Sequence, residues 1–153
     1  MAFAMTLAPP DPSPSPALGL WDGARHRLPL RVYYEDTDFS GLVYHASYLR
    51  FLERGRTELL RAAGIDQQAL HGQTGCAFVV RQMSLDYLKP ARMDDGLLVE
   101  TAVAELRGPL LRLDQAVRRE ADTLVQAAVT VVCIRNGRPV RLPDAVREAL
   151  KTQ

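Results

Sequence analysis

From Arg27 onward, apolar residues alternate with others: Leu28, Leu30, Val32 and Tyr34 share one face. That period of two predicts a strand ending near Glu35. Pro29 has no amide to donate, so this strand, or at least its start, is expected at a sheet edge. Asp36-Thr-Asp-Phe-Ser-Gly41 is a turn by composition. The one long helical pattern follows. Tyr48, Leu52, Gly55, Leu59 and Ala63 recur at spacings of 4, 3, 4 and 4 and form one stripe. Leu49 and Phe51 widen it, so the helix is expected to be largely enclosed. Arg50, Arg54, Glu58 and Arg61 lie off the stripe, with Arg54 and Glu58 spaced as an i,i+4 pair. Gly64 suits the residue just past the helix. Gly55 costs about 1 kcal/mol against Ala in mid-helix; on the buried stripe it predicts a close approach of helix to sheet.

Everything after Gly75 reads as strand until near the end. Residues 76–88, 97–107, 110–120 and 123–134 carry strand patterns. Arg107-Gly-Pro109 makes a short hairpin loop and Asn136-Gly137 ends the last strand. Residues 144–150 predict a short terminal helix with Asp144 as its early acid. The order is strand, long helix, then four antiparallel strands. The fold class is therefore α+β: one central helix wrapped by a curved antiparallel sheet of about five strands, because a flat sheet would leave the helix's apolar flanks in water. The outer sheet face and the edge strands then need covering, which predicts an oligomer.

Five of the ten prolines fall within residues 1–20. A Pro-rich, disordered tail is expected over residues 1–25, leaving 26–153 as one domain. A chain of 153 residues suits one domain and needs neither disulfide nor metal to fold. The net charge of +1 excludes a binder that grips nucleic acid by a broad basic face. No apolar run reaches the roughly 18 residues of a membrane span. The two cysteines, Cys76 and Cys133, sit in apolar contexts and read as reduced core residues of a cytoplasmic protein.

The acid-rich turn carries the chemistry. Asp36, Asp38, Ser40 and Gly41 match positions 1, 3, 5 and 6 of a calcium loop, but Ser47 stands where position 12 requires a bidentate Glu, so no metal site is expected. Two readings of Asp38 remain. It is either an Asx-turn residue in solvent or a carboxylate aimed at the start of the helix near His45-Ala46. Val43 and Tyr44 sit where a capping side chain would be expected. Free amides there would receive an anion or a developing oxyanion, and a carboxylate beside them can act as base or nucleophile.

The stretch Arg31-Val-Tyr-Tyr-Glu-Asp-Thr-Asp-Phe-Ser-Gly-Leu-Val-Tyr-His-Ala-Ser-Tyr-Leu-Arg-Phe-Leu-Glu53 resembles the active-site signature of the 4-hydroxybenzoyl-CoA thioesterase family. Its core, Thr37-Asp38-x-x-Gly41-Leu-Val43-Tyr44-x-x-x-Tyr48, fits without a gap. Together with Leu85-Asp-Tyr-Leu-Lys-Pro-Ala-Arg-Met-Asp-Asp95 it is most similar to the bacterial acyl-CoA thioesterases associated with the Tol–Pal envelope system. The likeness spans about residues 27–145 and implies the hot-dog fold. It implies hydrolysis of acyl-CoA with no metal or redox cofactor, Asp38 as base or nucleophile, and the His45 backbone amide as oxyanion donor. The His45 side chain would orient water or the thioester carbonyl. Asp36 is read as structural, and Glu53 as a partner for a nearby Arg. Arg81, Lys89 and Arg92 would contact the CoA phosphates. The partners expected are acyl-CoA, acyl carrier protein as a further carrier of the acyl group, and a second copy in a homodimer or homotetramer. The rivals are a hot-dog hydratase or dehydratase, and a protein that binds acyl chains or acyl carrier protein without turnover.

Overall fold

The computed structural model describes residues 19–151. The chain runs β1 (Leu20–Asp22), β2 (Arg25–Arg31), a 3-10 turn (Tyr34–Asp36), α1 (Ser47–Ala62), α2 (Gln67–Thr74), β3 (Ala77–Tyr87), β4 (Gly96–Arg107), β5 (Leu110–Arg119), β6 (Asp122–Arg135), β7 (Arg138–Pro139) and α3 (Asp144–Lys151). The sheet is antiparallel, in the order β1-β2-β4-β5-β6-β3, with β7 pairing β6. It has seven strands rather than about five. The two additional strands are short: β1 has three residues and β7 two. β1 lies inside the stretch 1–25 assigned to the tail, where Trp21 packs edge-on against His26 at 5.5 Å. Residues 1–18 of that tail lie outside the described residues.

One register row explains how the core closes. Leu28, Val99, Val117 and Val125 face each other across β2, β4, β5 and β6, all but fully buried, and Tyr87 of β3 ends the row. α1 lies over this inner face with Tyr48, Phe51, Leu52 and Leu59 buried. A Cβ on Gly55 would come within 2.6 Å of Val99 Cγ1, 3.0 Å of Thr101 Oγ1 and 3.2 Å of Gln115 Nε2. The close approach read from the stripe is therefore present. A buried polar network sits at the same level. Gln115 Nε2 donates to Leu52 O at 3.0 Å and to Thr101 Oγ1 at 2.9 Å, while Arg56 donates to Gln115 Oε1 at 2.9 Å. Past α1, Gly64 adopts φ +84, Ile65 N donates to Leu60 O and Gly64 N to Arg61 O, the paired bonds of a Schellman stop.

Several local expectations change. The first strand stops at Arg31 rather than near Glu35, because the buried Asp36 carboxylate accepts the Tyr33 amide at 2.8 Å and folds the chain into the 3-10 turn. Tyr34 is consequently exposed rather than in the core. Pro29 does sit at an edge, since β1 pairs only with residues 25–27 of β2. Glu58 pairs with Arg61, not with Arg54. Leu49 is 40% exposed, so α1 is less enclosed than its pattern implies. The outer sheet face is polar, as in the row Arg25–Ala102–Asp114–Ala128–Ser84, whereas Val79, Val80, Tyr87 and Leu88 are exposed along the β3 edge.

Candidate active site

The turn between β2 and α1 is built from its own side chains. Asp36 is buried and holds three groups. Its carboxylate takes the Tyr33 amide, and its carbonyl takes Tyr44 N at 2.9 Å and Ser47 Oγ at 3.0 Å. That ties the turn to the first residue of α1 and makes Asp36 structural. Two residues on, Asp38 is exposed. Gly41 N donates to Asp38 O at 3.0 Å with Gly41 at φ +80, a conformation that suits glycine. The Asp38 carboxylate accepts the Ser40 hydroxyl and, at 2.8 Å, the Ser40 amide. Those two bonds hold its carboxyl below the ordinary carboxylate range despite slight desolvation, and the nearby charge of His45 adds to the effect. Asp38 is therefore ionised at neutral pH.

α1 begins at Ser47, just past the His45-Ala46 start expected, with Ala46 as N-cap and no side chain capping it. The Val43 amide donates to Ala91 O, Tyr44 to Asp36 O and Ser47 to Tyr44 O. Among the described residues the amides of His45 and Ala46 make no such bond. Two free N–H groups at a helix start, beside an ionised carboxylate, form an arrangement that can polarise a carbonyl and deliver a base or nucleophile to it. A cleft of about 280 Å³ adjoins them, lined by Leu42, Val43, His45, Tyr48, Tyr87 and Leu88 among others. A larger polar depression of about 580 Å³ lies on the outer sheet face and is lined by none of these residues.

Asp38 lies close enough to His45 to feel its charge, but of the predicted site residues only His45 and Lys89 line the cleft. Lys89 Nζ lies 2.9 Å from Asp122 Oδ1. Arg92 is exposed, and its backbone pairs with Leu42 beside the turn. Arg81 stands apart. It occupies the irregularity between Val80 and Gln82 in mid-β3, about 25 Å along the strand from Lys89. Glu53 is 63% exposed and pairs with Arg56, as the sequence suggested. Cys133 takes no part, since burial and then the neighbouring Cys76 push its thiol up to about 12.

Sequence reasoning missed the role of Tyr87. It lies at the end of the strand pattern over residues 76–88, is half exposed, and donates its hydroxyl to His45 O at 2.9 Å. Nothing in the spacing of residues 45 and 87 could signal that contact. Tyr48 holds the ring edge-on at 5.6 Å and takes the Ala91 amide on its own hydroxyl at 3.0 Å.

Comparison with known proteins agrees with this geometry. The family model for the thioesterase-like superfamily matches residues 32–150. The chain is 46% identical over 124 residues to an acyl-CoA thioesterase YbgC of Haemophilus influenzae, covering 80% of this chain and 91% of that one. It is 46% identical over 123 residues to an acyl-CoA thioester hydrolase YbgC of Escherichia coli, covering 78% and 91% respectively. The crystal structure of a probable thioesterase from Bartonella henselae superposes with a TM-score of 0.76 at 40% identity, covering 78% of this chain and all of that one. A match over most of the chain, carried by the turn, the helix and the curved sheet together, makes this protein a member of the thioesterase-like superfamily.

Proposed function

We propose that this protein hydrolyses acyl-CoA thioesters to the free acid and CoA, with Asp38 as the base or nucleophile. The observation that carries this reading is the pairing of an ionised, exposed Asp38 with two unoccupied amides at the start of α1. The thioester carbonyl lies with its oxygen toward the His45 amide and its carbon within reach of Asp38. Asp38 either removes a proton from the water that attacks that carbon, or attacks it directly to give an acyl-aspartyl anhydride that water then hydrolyses to the free acid. The helix dipole and the His45 N–H stabilise the tetrahedral oxyanion, and collapse expels CoA thiolate. The His45 imidazole orients the water or the carbonyl. Lys89 and Arg92, on the rim, meet the CoA phosphates; Arg81 reaches them only in an assembly. Acyl carrier protein presents acyl groups on the same pantetheine arm and is the second partner of this reading.

The active form is a homodimer joined along β3, or a homotetramer of such dimers. Among the described residues no strand pairs the outer edge of β3, which exposes Val79, Val80, Tyr87 and Leu88, and the site turn exposes Tyr33, Tyr34 and Phe39. Unpaired strand groups and exposed aromatics of this kind are covered in a stable protein. The reaction is assigned to the cytoplasm, where free thiols such as Cys76 and Cys133 persist.

Two outcomes test the assignment. His45→Ala keeps the backbone amide, so turnover should fall only about tenfold, less than the loss of a general acid or base. Glu53→Gln should change turnover little. A Glu53→Gln variant more damaged than His45→Ala in single-turnover rates would move the chemistry onto the helix. Light scattering at micromolar concentration should give a dimer or tetramer mass; a stable, active monomer would refute the assembly.

A further inference from the structure

The first turn of α1 leaves one carbonyl without a helical partner. Ser47 N donates to Tyr44 O at 2.8 Å and Leu49 N to Ala46 O at 3.1 Å. Both are tight bonds from three residues on, so the carbonyl between them, His45 O, is skipped. Tyr87, arriving from the end of β3, donates its hydroxyl to that carbonyl at 2.9 Å. A peptide unit is planar, with its N–H directed opposite to its C=O. Fixing the His45 carbonyl therefore fixes the N–H of the same peptide, which belongs to Ala46. The preceding peptide is fixed in the same sense, because Tyr44 O is held by Ser47 and its N–H is that of His45. Two consecutive free amides are thus each anchored through the carbonyl behind them, one by the helix and one by Tyr87.

We infer that Tyr87 is a positioning residue for the oxyanion hole, and that the Ala46 amide it orients is a second donor beside the His45 amide. This rests on the reading of the His45 amide as oxyanion donor. Tyr87 touches no reacting atom. Its ring is seated by Tyr48, whose hydroxyl is occupied by the Ala91 amide. Tyr87 also lines the cleft beside His45, so one side chain both walls the cleft and aligns the donors at its end. The link connects the β3 edge to catalysis, because any change at the end of β3 is felt at the Ala46 amide.

The test compares Tyr87→Phe and Tyr87→Leu with the unmodified enzyme, using one acyl-CoA, with Asp38→Asn as reference. Tyr87→Phe keeps the ring contact with Tyr48 and loses only the hydroxyl. It should lower kcat about tenfold, less than outright removal of an oxyanion donor, and leave KM within about twofold. A 13C-labelled thioester carbonyl bound to Asp38→Asn should absorb at lower infrared frequency than in water. Part of that shift should be lost in the double variant Asp38→Asn with Tyr87→Phe. If Tyr87→Phe turns over normally while Tyr87→Leu is impaired, Tyr87 serves only packing and the inference is overturned, as it is by an unchanged carbonyl frequency. An inactive Asp38→Asn beside a fully active Tyr87→Phe removes Tyr87 alone. A fully active Asp38→Asn removes the Asp38 reading and this inference with it.

Discussion

Replacing Asp38 by Asn should abolish most turnover and leave the fold untouched. The side chain is exposed and its hydrogen bonds come from Ser40, two residues away. An Asn oxygen can accept the Ser40 amide in the same turn, so the anchoring of the loop through the buried Asp36 is not disturbed. What disappears is the charge. The carboxylate, ionised throughout the neutral range because Ser40 holds its pKa down, is both the possible base and the possible nucleophile. An amide is neither. The turnover rate should fall by roughly 10²-fold or more, the scale of a lost general base. Substrate should still bind, since the cleft walls and rim cations remain. Circular dichroism and single-turnover kinetics on one acyl-CoA check the two halves of this expectation separately.

Gly55→Val should be the most damaging change to stability away from the site. At Gly55 a Cβ alone would lie 2.6 Å from Val99 Cγ1, and Val99 is itself fully buried in the sheet. The Val99 side chain is stiff about χ1 and has nowhere to go. The two further methyls of Val would press on Thr101 and Gln115, which hold the network that satisfies Arg56. Overpacking a filled core costs typically 1–3 kcal/mol and can exceed that; in α1 a clash and a disturbed buried polar network act together, so a loss of about 3 kcal/mol is expected. At roughly 2–4 °C per kcal/mol for a domain of this size, calorimetry should show a fall in Tm of about 6–12 °C. Gly55→Ala should lie between, its overpacking offset in part by about 1 kcal/mol of helix propensity. A Gly55→Val variant as stable as the parent would mean the helix is not seated where the structure puts it.

How much of the fold and site is legible in the sequence depends on whether a feature is local. Gly55, Gly64 and the stripe from Tyr48 to Ala63 announce α1 and its stop because they obey a helical period and a local end rule. The hairpin at Gly108-Pro109 and the turn at Asn136-Gly137, with Gly108, Asn136 and Gly137 at positive φ, are likewise local. Asp38 stands out only when its motif is compared with a family; the residues alone leave an ordinary Asx turn open. The features that escape are those set by tertiary contact. β1 and β7 exist because neighbouring strands offer pairing to two or three residues. The early end of β2 comes from one buried carboxylate. Glu58 finds Arg61 rather than Arg54, a choice that spacing permits either way. The Tyr87–His45 bond joins residues 42 apart in the chain, which no periodicity encodes.

The most direct measurement is of the products. The purified protein, supplied with a series of short, long and aromatic acyl-CoA substrates in 18O-labelled water, should release CoA thiol and free acid in equal amounts, with one 18O entering the carboxyl group. If instead the thioester stays intact while water adds to or leaves the acyl chain, the protein is a hydratase. If acyl-CoA binds and no thiol appears, it is a binding protein. Either result would contradict thioester hydrolysis by Asp38 and the helix start.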